Sequence, residues 1–225
     1  MVSVIPPIVS VKNANLHDRT YFGLDKNTFY FLFSFDFNSS AVRKNPLGVV
    51  QAFAYAFPDQ QRKIGLIIKS IGPGEHDPTA FQQLQNVTRI DNRIKLLTQV
   101  MRRDEMLSLI SVSDCYISLH RSEGFGAGMA EAMALEKPVI GTDFSGNAEF
   151  LTQETGFPVH YTLRKLMPGE YAYGEGQSWA EPDLEEAIRH MRGVVDDPAD
   201  AAICEGRGGS EHQHHVGAVP GWHAA

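Results

Sequence analysis

The chain has 225 residues, 43% hydrophobic and 21% charged, a composition that argues against general disorder and is enough for one large domain or two small ones. A formal charge of −7 without a long basic run argues against a nucleic-acid partner. Two cysteines, Cys115 and Cys204, provide no disulfide framework and fit a reducing compartment.

The first 28 residues have no clear period. We interpret residues 1–24 as a lead-in or linker that could hold one short strand at residues 2–5. The longest apolar run, residues 29–35, is too short to span a bilayer, and the start lacks the basic region of a signal peptide. Cytoplasm is therefore the default expectation, without a transmembrane segment.

Apolar runs alternate with helical segments over residues 25–200, which we expect to form one domain. The predicted strands are 29–37, 64–69, 94–97, 115–119, 138–141 and 156–159, the last at an edge. The predicted helices are one that opens at Asn45-Pro46, then 78–90, 104–113, 128–135 and 147–151. This alternation predicts an α/β fold: a single Rossmann-like parallel sheet with helices on both faces.

A long loop is predicted over residues 160–177, and an amphipathic helix follows Pro182. From residue 201 to residue 225 the chain has no period and is rich in glycine and histidine. We expect a disordered or aberrant tail there.

The most informative stretch is SEGFGAGMAE, residues 122–131. It follows a predicted strand and opens a helix, so its backbone N–H groups suit a phosphate. The carboxylates of Glu123 and Glu131 could accept hydrogen bonds from hydroxyls on either side of that phosphate. The loop after the first strand carries Arg43 and Lys44 on the same predicted edge of the sheet. Together they suggest a nucleotide-sugar site.

Several motifs in this order resemble the retaining glycosyltransferases of the GT-B fold, in particular group 1, or family 4. They are FSFDFNSSAVRKNP, SVSDCYISLHRSEGFG with its E-x7-E pattern, KPVIGTDFSGNAEFL and WAEPDLEEAI. The resemblance covers roughly residues 25–200 and implies a donor-binding lobe for a nucleotide-diphosphate sugar. The acceptor-binding N-terminal lobe of such enzymes has no counterpart before residue 25, so the expected partner is a separate lobe or subunit.

The resemblance implies that Glu123 contacts the sugar, Glu131 the ribose and Lys44 the diphosphate, which makes Glu123 and Lys44 the catalytic candidates. The other candidate donor contacts are the backbone amides of Gly124, Phe125, Gly126 and Ala127, the side chains of Arg43, Lys69 and His120, and the backbone near Leu97 for the base. The family carries an arginine some six residues before the lysine, where this chain has Asn38 or a neighbour. No metal or other cofactor is expected.

Simpler interpretations stay open at this point. Arg43 and Lys44 could form a solvated pair, and His120 could be a core histidine. The chain could also be a non-catalytic nucleotide-binding module or an inactive truncated fragment.

Overall fold

The computed structural model describes residues 9, 11, 17–72, 77–171 and 173–197. Within them, six strands form one parallel sheet in the order β3-β2-β1-β4-β5-β6. These strands are β1 (Phe29–Asp36), β2 (Ile64–Ile71), β3 (Ile94–Leu97), β4 (Cys115–Ser118), β5 (Val139–Thr142) and β6 (Phe157–Val159). The predicted α/β fold is confirmed, with β6 at an edge as expected.

Helices cover both faces of this sheet. They are α1 (Ala41–Lys44), α2 (Pro46–Ala56), α3 (Pro78–Ile90), α4 (Arg103–Val112), α5 (Ala127–Ala134) and α6 (Leu184–Asp196). One buried cluster joins side chains of β1, such as Phe31 and Phe33, to α2, α3 and α6. Another joins Leu32 and Ile67 to α4 and α5. Strands buried on both faces explain the nearly continuous aromatic and aliphatic run of β1.

The strand order creates a switch point between β1 and β4. The chain leaves β1 toward β2 and β3 on one side, whereas β4, β5 and β6 lie on the other. In the register, Phe31 pairs with Cys115 and Leu32 with Tyr116. The connections that leave the carboxyl ends of β1 and β4 diverge here, which opens a crevice where open α/β sheets bind ligands.

The long loop predicted over residues 160–177 is wrong. Residues Tyr161–Lys165 form β7, which pairs antiparallel with β8 (Ser178–Pro182) in a hairpin between β6 and α6. Trp179 therefore belongs to a strand and does not lead directly into the helix. Asp183 caps α6 by accepting a hydrogen bond from the backbone N–H of Glu186 at 3.1 Å.

Smaller differences lie at the ends of the chain and after β5. The helix predicted at residues 147–151 is a 3-10 helix, Gly146–Glu149. Part of the lead-in packs on α4, because the His17 backbone N–H donates to Ser108 Oγ at 2.9 Å and Arg19 pairs with Asp114 at 2.6 Å. The strand considered at residues 2–5 and the tail from residue 201 lie outside the described residues. No helix in the described part is long and apolar enough to cross a membrane.

Candidate functional site

Lys44 lies at the end of the connection that leaves β1. A 3-10 helix, Phe37–Ser39, and the four-residue helix α1 turn the chain back across the carboxyl edge of the sheet. Asn45 then adopts the left-handed conformation with φ of 57°, and its Oδ1 caps α2 by accepting from Gly48 N at 3.2 Å. Asn45 Nδ2 donates to Leu119 O at 2.8 Å, which ties the Lys44 turn to the end of β4.

Glu123 faces Lys44 across the switch point. Lys44 Nζ donates to Glu123 Oε2, and both side chains are about one-sixth exposed, at 15% and 16%. Glu123 Oε1 accepts from the Gly124 backbone N–H at 3.0 Å. Burial by itself would raise the pKa of the Glu123 carboxyl, but the hydrogen bond and charge of Lys44 outweigh it and hold that pKa below its ordinary value. The Glu123 carboxylate is thus ionised at neutral pH.

The glycine-bearing turn after Glu123 leads into α5. Gly126 precedes the helix with φ of +86°, a conformation that a side chain would strain. Phe125 packs on Phe150, with ring centroids 5.3 Å apart, which anchors the turn. The first N–H groups of α5, from Ala127 onward, have no acceptor within the helix and carry the positive end of its dipole. The predicted backbone anion site is therefore adjacent to the Lys44–Glu123 pair.

Glu131 is buried at 9% exposure on α5, one helix turn after Ala127. Its Oε1 accepts a hydrogen bond from Arg103 Nη1, at the start of α4. Arg103 is half-exposed, so this ion pair lies at the protein surface. The sequence prediction missed Arg103, and the only signal for it was a basic pair, Arg102-Arg103, on the same edge of the sheet.

Arg43 and Lys69 serve mainly internal contacts in this structure. Arg43 Nη1 donates to Ser122 O at 2.7 Å, next to Glu123. Lys69 is buried at 2% exposure, and its Nζ donates to Ser70 O at 2.6 Å. Burial lowers the pKa of Lys69, against the opposing charge of Asp36. Lys69 pairs in register with Ser34 of β1, so it lies on the β2 side of the switch point.

His120 is fully buried. Its Nδ1 lies 3.1 Å from Ser118 Oγ and its Nε2 lies 3.2 Å from Phe144 O. Burial lowers the pKa of this imidazole, which is neutral at neutral pH. These contacts match those of a satisfied core histidine, and a donor contact by His120 stays a prediction.

Leu97 ends β3 beside a cavity of about 280 Å³. The lead-in, the loop after the strand and the first turn of α4 line this cavity, with Tyr21, Phe22, Gln99, Val100, Met101 and Glu105. The Tyr21 hydroxyl donates to Glu105 Oε1 at 2.5 Å, and Glu105 also accepts from the Arg102 N–H at 2.7 Å. The lead-in therefore forms one wall of a cavity at the edge where the base is expected.

Two further hydroxyls meet beneath the first turn of α5, close to Gly128. Ser34 Oγ and Tyr116 OH lie 2.6 Å apart, on β1 and β4. Burial raises the pKa of the Tyr116 phenol, so it stays protonated. In the described part of the chain, no group of three or more His, Cys, Asp or Glu side chains could hold a metal ion.

Comparison with known proteins places the chain in a family. The family described as glycosyl transferases group 1 matches residues 39–165, more than half of the chain. The N-acetyl-alpha-D-glucosaminyl L-malate synthase of Bacillus anthracis is 33% identical over 110 residues, which are 48% of this chain and 27% of that protein.

Solved structures agree on the fold. A sucrose-phosphate synthase from Thermosynechococcus elongatus superposes with a TM-score of 0.60 at 20% identity, over 84% of this chain and 41% of its own. Anabaena HepE in complex with UDP-glucose superposes with a TM-score of 0.61 at 18% identity, over 83% of this chain and 44% of its own. The chain thus spans less than half the length of these proteins. The matched residues, 39–165, include both sides of the switch point, and the chain belongs to the group 1 glycosyltransferases.

Proposed function

We propose that this chain is the C-terminal, donor-binding lobe of a retaining, family 4 glycosyltransferase and binds a nucleotide-diphosphate hexose. The observation that carries the proposal is the ion pair of Lys44 and Glu123 at the switch point, beside the N-terminus of α5. That arrangement combines a cation and backbone donors for a diphosphate with a carboxylate for sugar hydroxyls. HepE, a neighbour in fold, has been solved with UDP-glucose and with UDP, which supports a donor of this class.

Lys44 would act on the leaving group. When the bond between the anomeric carbon and the diphosphate breaks, negative charge grows on the phosphate oxygens. The Lys44 ammonium has three N–H donors and gives one to Glu123, so the others can meet that charge without a rearrangement of the side chain. The amides of the Glu123–Gly126 turn and the dipole of α5 would add to the same stabilisation.

Glu123 and Glu131 would hold the two sugars of the donor. Glu123 has its carboxylate oriented by Lys44 and by the Gly124 N–H, and would accept hydrogen bonds from the transferred sugar. Glu131 has its carboxylate oriented by Arg103 and would accept from the ribose hydroxyls. The proposed diphosphate position lies between them, along the start of α5.

The base would occupy the cavity beside Leu97. Replacing Met101 with Trp would fill that cavity without touching the Lys44–Glu123 pair. We expect UDP, GDP and ADP to bind this variant no better than inorganic pyrophosphate, while pyrophosphate binding is unchanged. Unaltered binding of all three nucleotides would place the base elsewhere.

Transfer would need an acceptor-binding lobe, because attack requires the acceptor hydroxyl to be held against the anomeric carbon in a closed, water-excluding cleft. We propose that a separate lobe or subunit supplies it, and that the described crevice forms one wall of that cleft. The proposal requires no metal ion or other cofactor.

Calorimetry tests the donor site directly. The full chain is titrated with UDP, GDP and ADP and with their glucose conjugates. Saturable binding of at least one pair supports the proposal, whereas a folded protein that binds none of the six contradicts it. Release of the sugar from the bound donor, once an acceptor-binding lobe is added, separates an enzyme from a binding module.

Lys44→Met tests the proposed role of Lys44 in the ion pair with Glu123. We expect this variant to bind the preferred nucleoside diphosphate at least about tenfold more weakly, a loss of about 1.4 kcal/mol. Lys63→Met is the matched control, because Lys63 is exposed just before β2 at the opposite edge of the sheet. Equal affinities of the two variants would rule out a phosphate role for Lys44.

A further inference from the structure

The hairpin of β7 and β8 carries a network of ion pairs that continues into the proposed donor site. On β7, Arg164 forms hydrogen bonds with both carboxylate oxygens of Glu170, at 2.7 and 2.9 Å, and its Nε donates to Glu181 Oε2 at 3.0 Å. The Arg164 guanidinium also lies over the Trp179 ring, 5.5 Å from its centroid. Glu181 on β8 is thereby held in place by contacts within the hairpin.

Arg121 connects this hairpin to the crevice. Its Nε and Nη2 each donate to one oxygen of Glu181, both at 2.8 Å, which is the two-pronged geometry of a strong arginine–carboxylate pair. The third guanidinium nitrogen, Nη1, donates to Val42 O at 2.7 Å. One side chain thus joins the end of β4, helix α1 and the hairpin. The Arg121 side chain is 17% exposed and that of Glu181 is 37% exposed, so the arginine is the more buried partner of the pair.

The backbone repeats the same connections. The Arg121 N–H donates to Arg43 O at 2.8 Å, and the Ala180 N–H donates to Arg121 O at 3.0 Å. In return, Arg43 Nη1 donates to Ser122 O. The turn that carries Lys44 and the turn that carries Glu123 are therefore fastened to each other at residues 42–43 and 121–122, directly before the two charged side chains.

Arg121 lies two residues before Glu123, and Val42 lies two residues before Lys44. A change at Arg121 would shift both turns together, because each is only two residues away from its fixed point. Glu181, the partner of Arg121, lies 60 residues away in sequence, on strand β8. Among the described hydrogen bonds, none joins β8 directly to Lys44 or Glu123. Burial by itself would raise the pKa of Glu181, but Arg121 and Arg164 together lower it, so this carboxylate stays charged when donor binds.

We propose that Arg121 is a positioning residue for donor binding, and that the β7–β8 hairpin acts through Glu181 as a brace that sets the spacing of Lys44 and Glu123. The inference rests on the function proposed for those two residues. It gives the hairpin a role in the site through Arg121 and Glu181. Arginine is required because lysine cannot make three bonds in fixed directions.

Three variants test the brace: Arg121→Gln, Arg121→Lys and Glu181→Gln. Calorimetry uses whichever of UDP, GDP and ADP binds the wild-type chain best, at a temperature where circular dichroism shows each variant folded. We expect Arg121→Gln to bind about tenfold more weakly and Arg121→Lys to recover part of that loss. Glu181→Gln, whose amide keeps a single acceptor oxygen, should lose about threefold. Arg62→Gln is the matched control, since it removes the exposed Arg62–Asp196 pair, 2.7 Å long, at the opposite edge of the sheet.

A double-mutant cycle with Lys44→Met separates a positioning role of Arg121 from a purely structural one. The nucleotide affinity is measured at millimolar nucleotide. If Arg121 acts by positioning Lys44, then Arg121→Gln should cost less than twofold once Lys44 is gone. A full tenfold loss in the Lys44→Met background would overturn the inference, as would wild-type affinity in folded Arg121→Gln. Should Arg121→Gln fail to fold, Glu181→Gln and Arg121→Lys decide by the same cycle.

The outcomes also separate this inference from the proposed function. A wild-type chain that binds none of the nucleotides contradicts the donor site and the brace together. A wild-type chain that binds, with Arg121 variants that bind equally well, contradicts the brace alone.

Discussion

Glu123 forms the ion pair with Lys44 and is the proposed contact for the transferred sugar. Binding of two ligands to one variant tells these roles apart. Glu123→Ala removes the proposed acceptor for sugar hydroxyls and releases Lys44 from its ion pair. We expect UDP to bind within about threefold of wild type, while UDP-glucose loses about tenfold, because charged hydrogen bonds contribute about 1.5–3 kcal/mol. Calorimetry with both ligands measures this. Glu154→Ala, exposed on the turn before β6, is the control, and an equal loss of both ligands in Glu123→Ala would contradict the assignment.

His120 and His160 should shape the pH dependence of stability in opposite directions. Burial lowers the pKa of His120, so the unfolded chain takes up its proton first as pH falls through the ordinary value of about 6.5, and stability is lost there. His120→Gln should remove that part of the acid loss. The hydrogen bond to Glu186 raises the pKa of His160, whose contribution is present below the unfolded pKa and is lost as pH rises through the folded one.

Urea unfolding between about pH 5 and about pH 7 tests this pair of signs. His120→Gln should flatten the dependence of the free energy of unfolding on pH, and His160→Gln should steepen its fall toward acid. The same change of slope in both variants would show that one of the two signs is wrong.

At the scale of elements, Asn45 carries more than a helix cap. Asn45→Ala removes the cap of α2 and also leaves Leu119 O without the donor it has from Asn45 Nδ2. The expected cost is about 3–4 kcal/mol: about 1 for a cap, a further 1–2 for a buried carbonyl that loses its partner, and about 1 for alanine in the left-handed conformation of this position. Asp77 caps α3 through the Ala80 N–H at 3.0 Å and has no comparable second bond in the contacts described, so Asp77→Ala should cost about 1 kcal/mol. Equal costs in thermal or urea unfolding would deny Asn45 its role in joining the two turns.

The sheet was predictable because its strands are short, buried runs such as residues 29–37, whose burial on both faces leaves a nearly continuous apolar sequence. The hairpin was not, because β7 is mostly exposed and mixes Tyr161 and Leu163 with Arg164 and Lys165. Its partner strand comes after a segment rich in glycine and tyrosine. Pairing of Tyr161 with Pro182 is a non-local contact that no local pattern of residues specifies.

In the site, too, local patterns were predictable and non-local contacts were not. Placing Lys44 and Glu123 on one edge required only the alternation of strands and helices and the family motifs. The partner of Glu131 could not be predicted, because its contact with Arg103 depends on how α4 and α5 pack side by side. Arg121 was hidden for a similar reason, since its carboxylate partner lies on the hairpin that the sequence did not reveal.

At the scale of the whole molecule, a donor that binds only the folded chain should stabilise it by mass action. Nucleotide at 100 times its Kd adds about 2.7 kcal/mol. For a chain of this size that corresponds to a rise in Tm of roughly 5–10 °C. Differential scanning calorimetry of wild type and Lys44→Met, each with the same nucleotide concentration, measures it. A tenfold weaker Kd leaves about 1.4 kcal/mol at the same concentration, so the shift in Lys44→Met should be about half that of wild type or less. An equal shift in both would point to binding away from the switch point.

Gly146 lies so close to the turn after Glu123 that a Cβ at this position would stand 2.0 Å from Gly124 O. The two turns are therefore in direct backbone contact, and neither can move toward the other without displacing it. In hydrogen-exchange terms, the amides of residues 124–126 and 145–147 should open as one unit and exchange with solvent at a common rate. A nucleotide that orders one of these turns would then slow exchange in both.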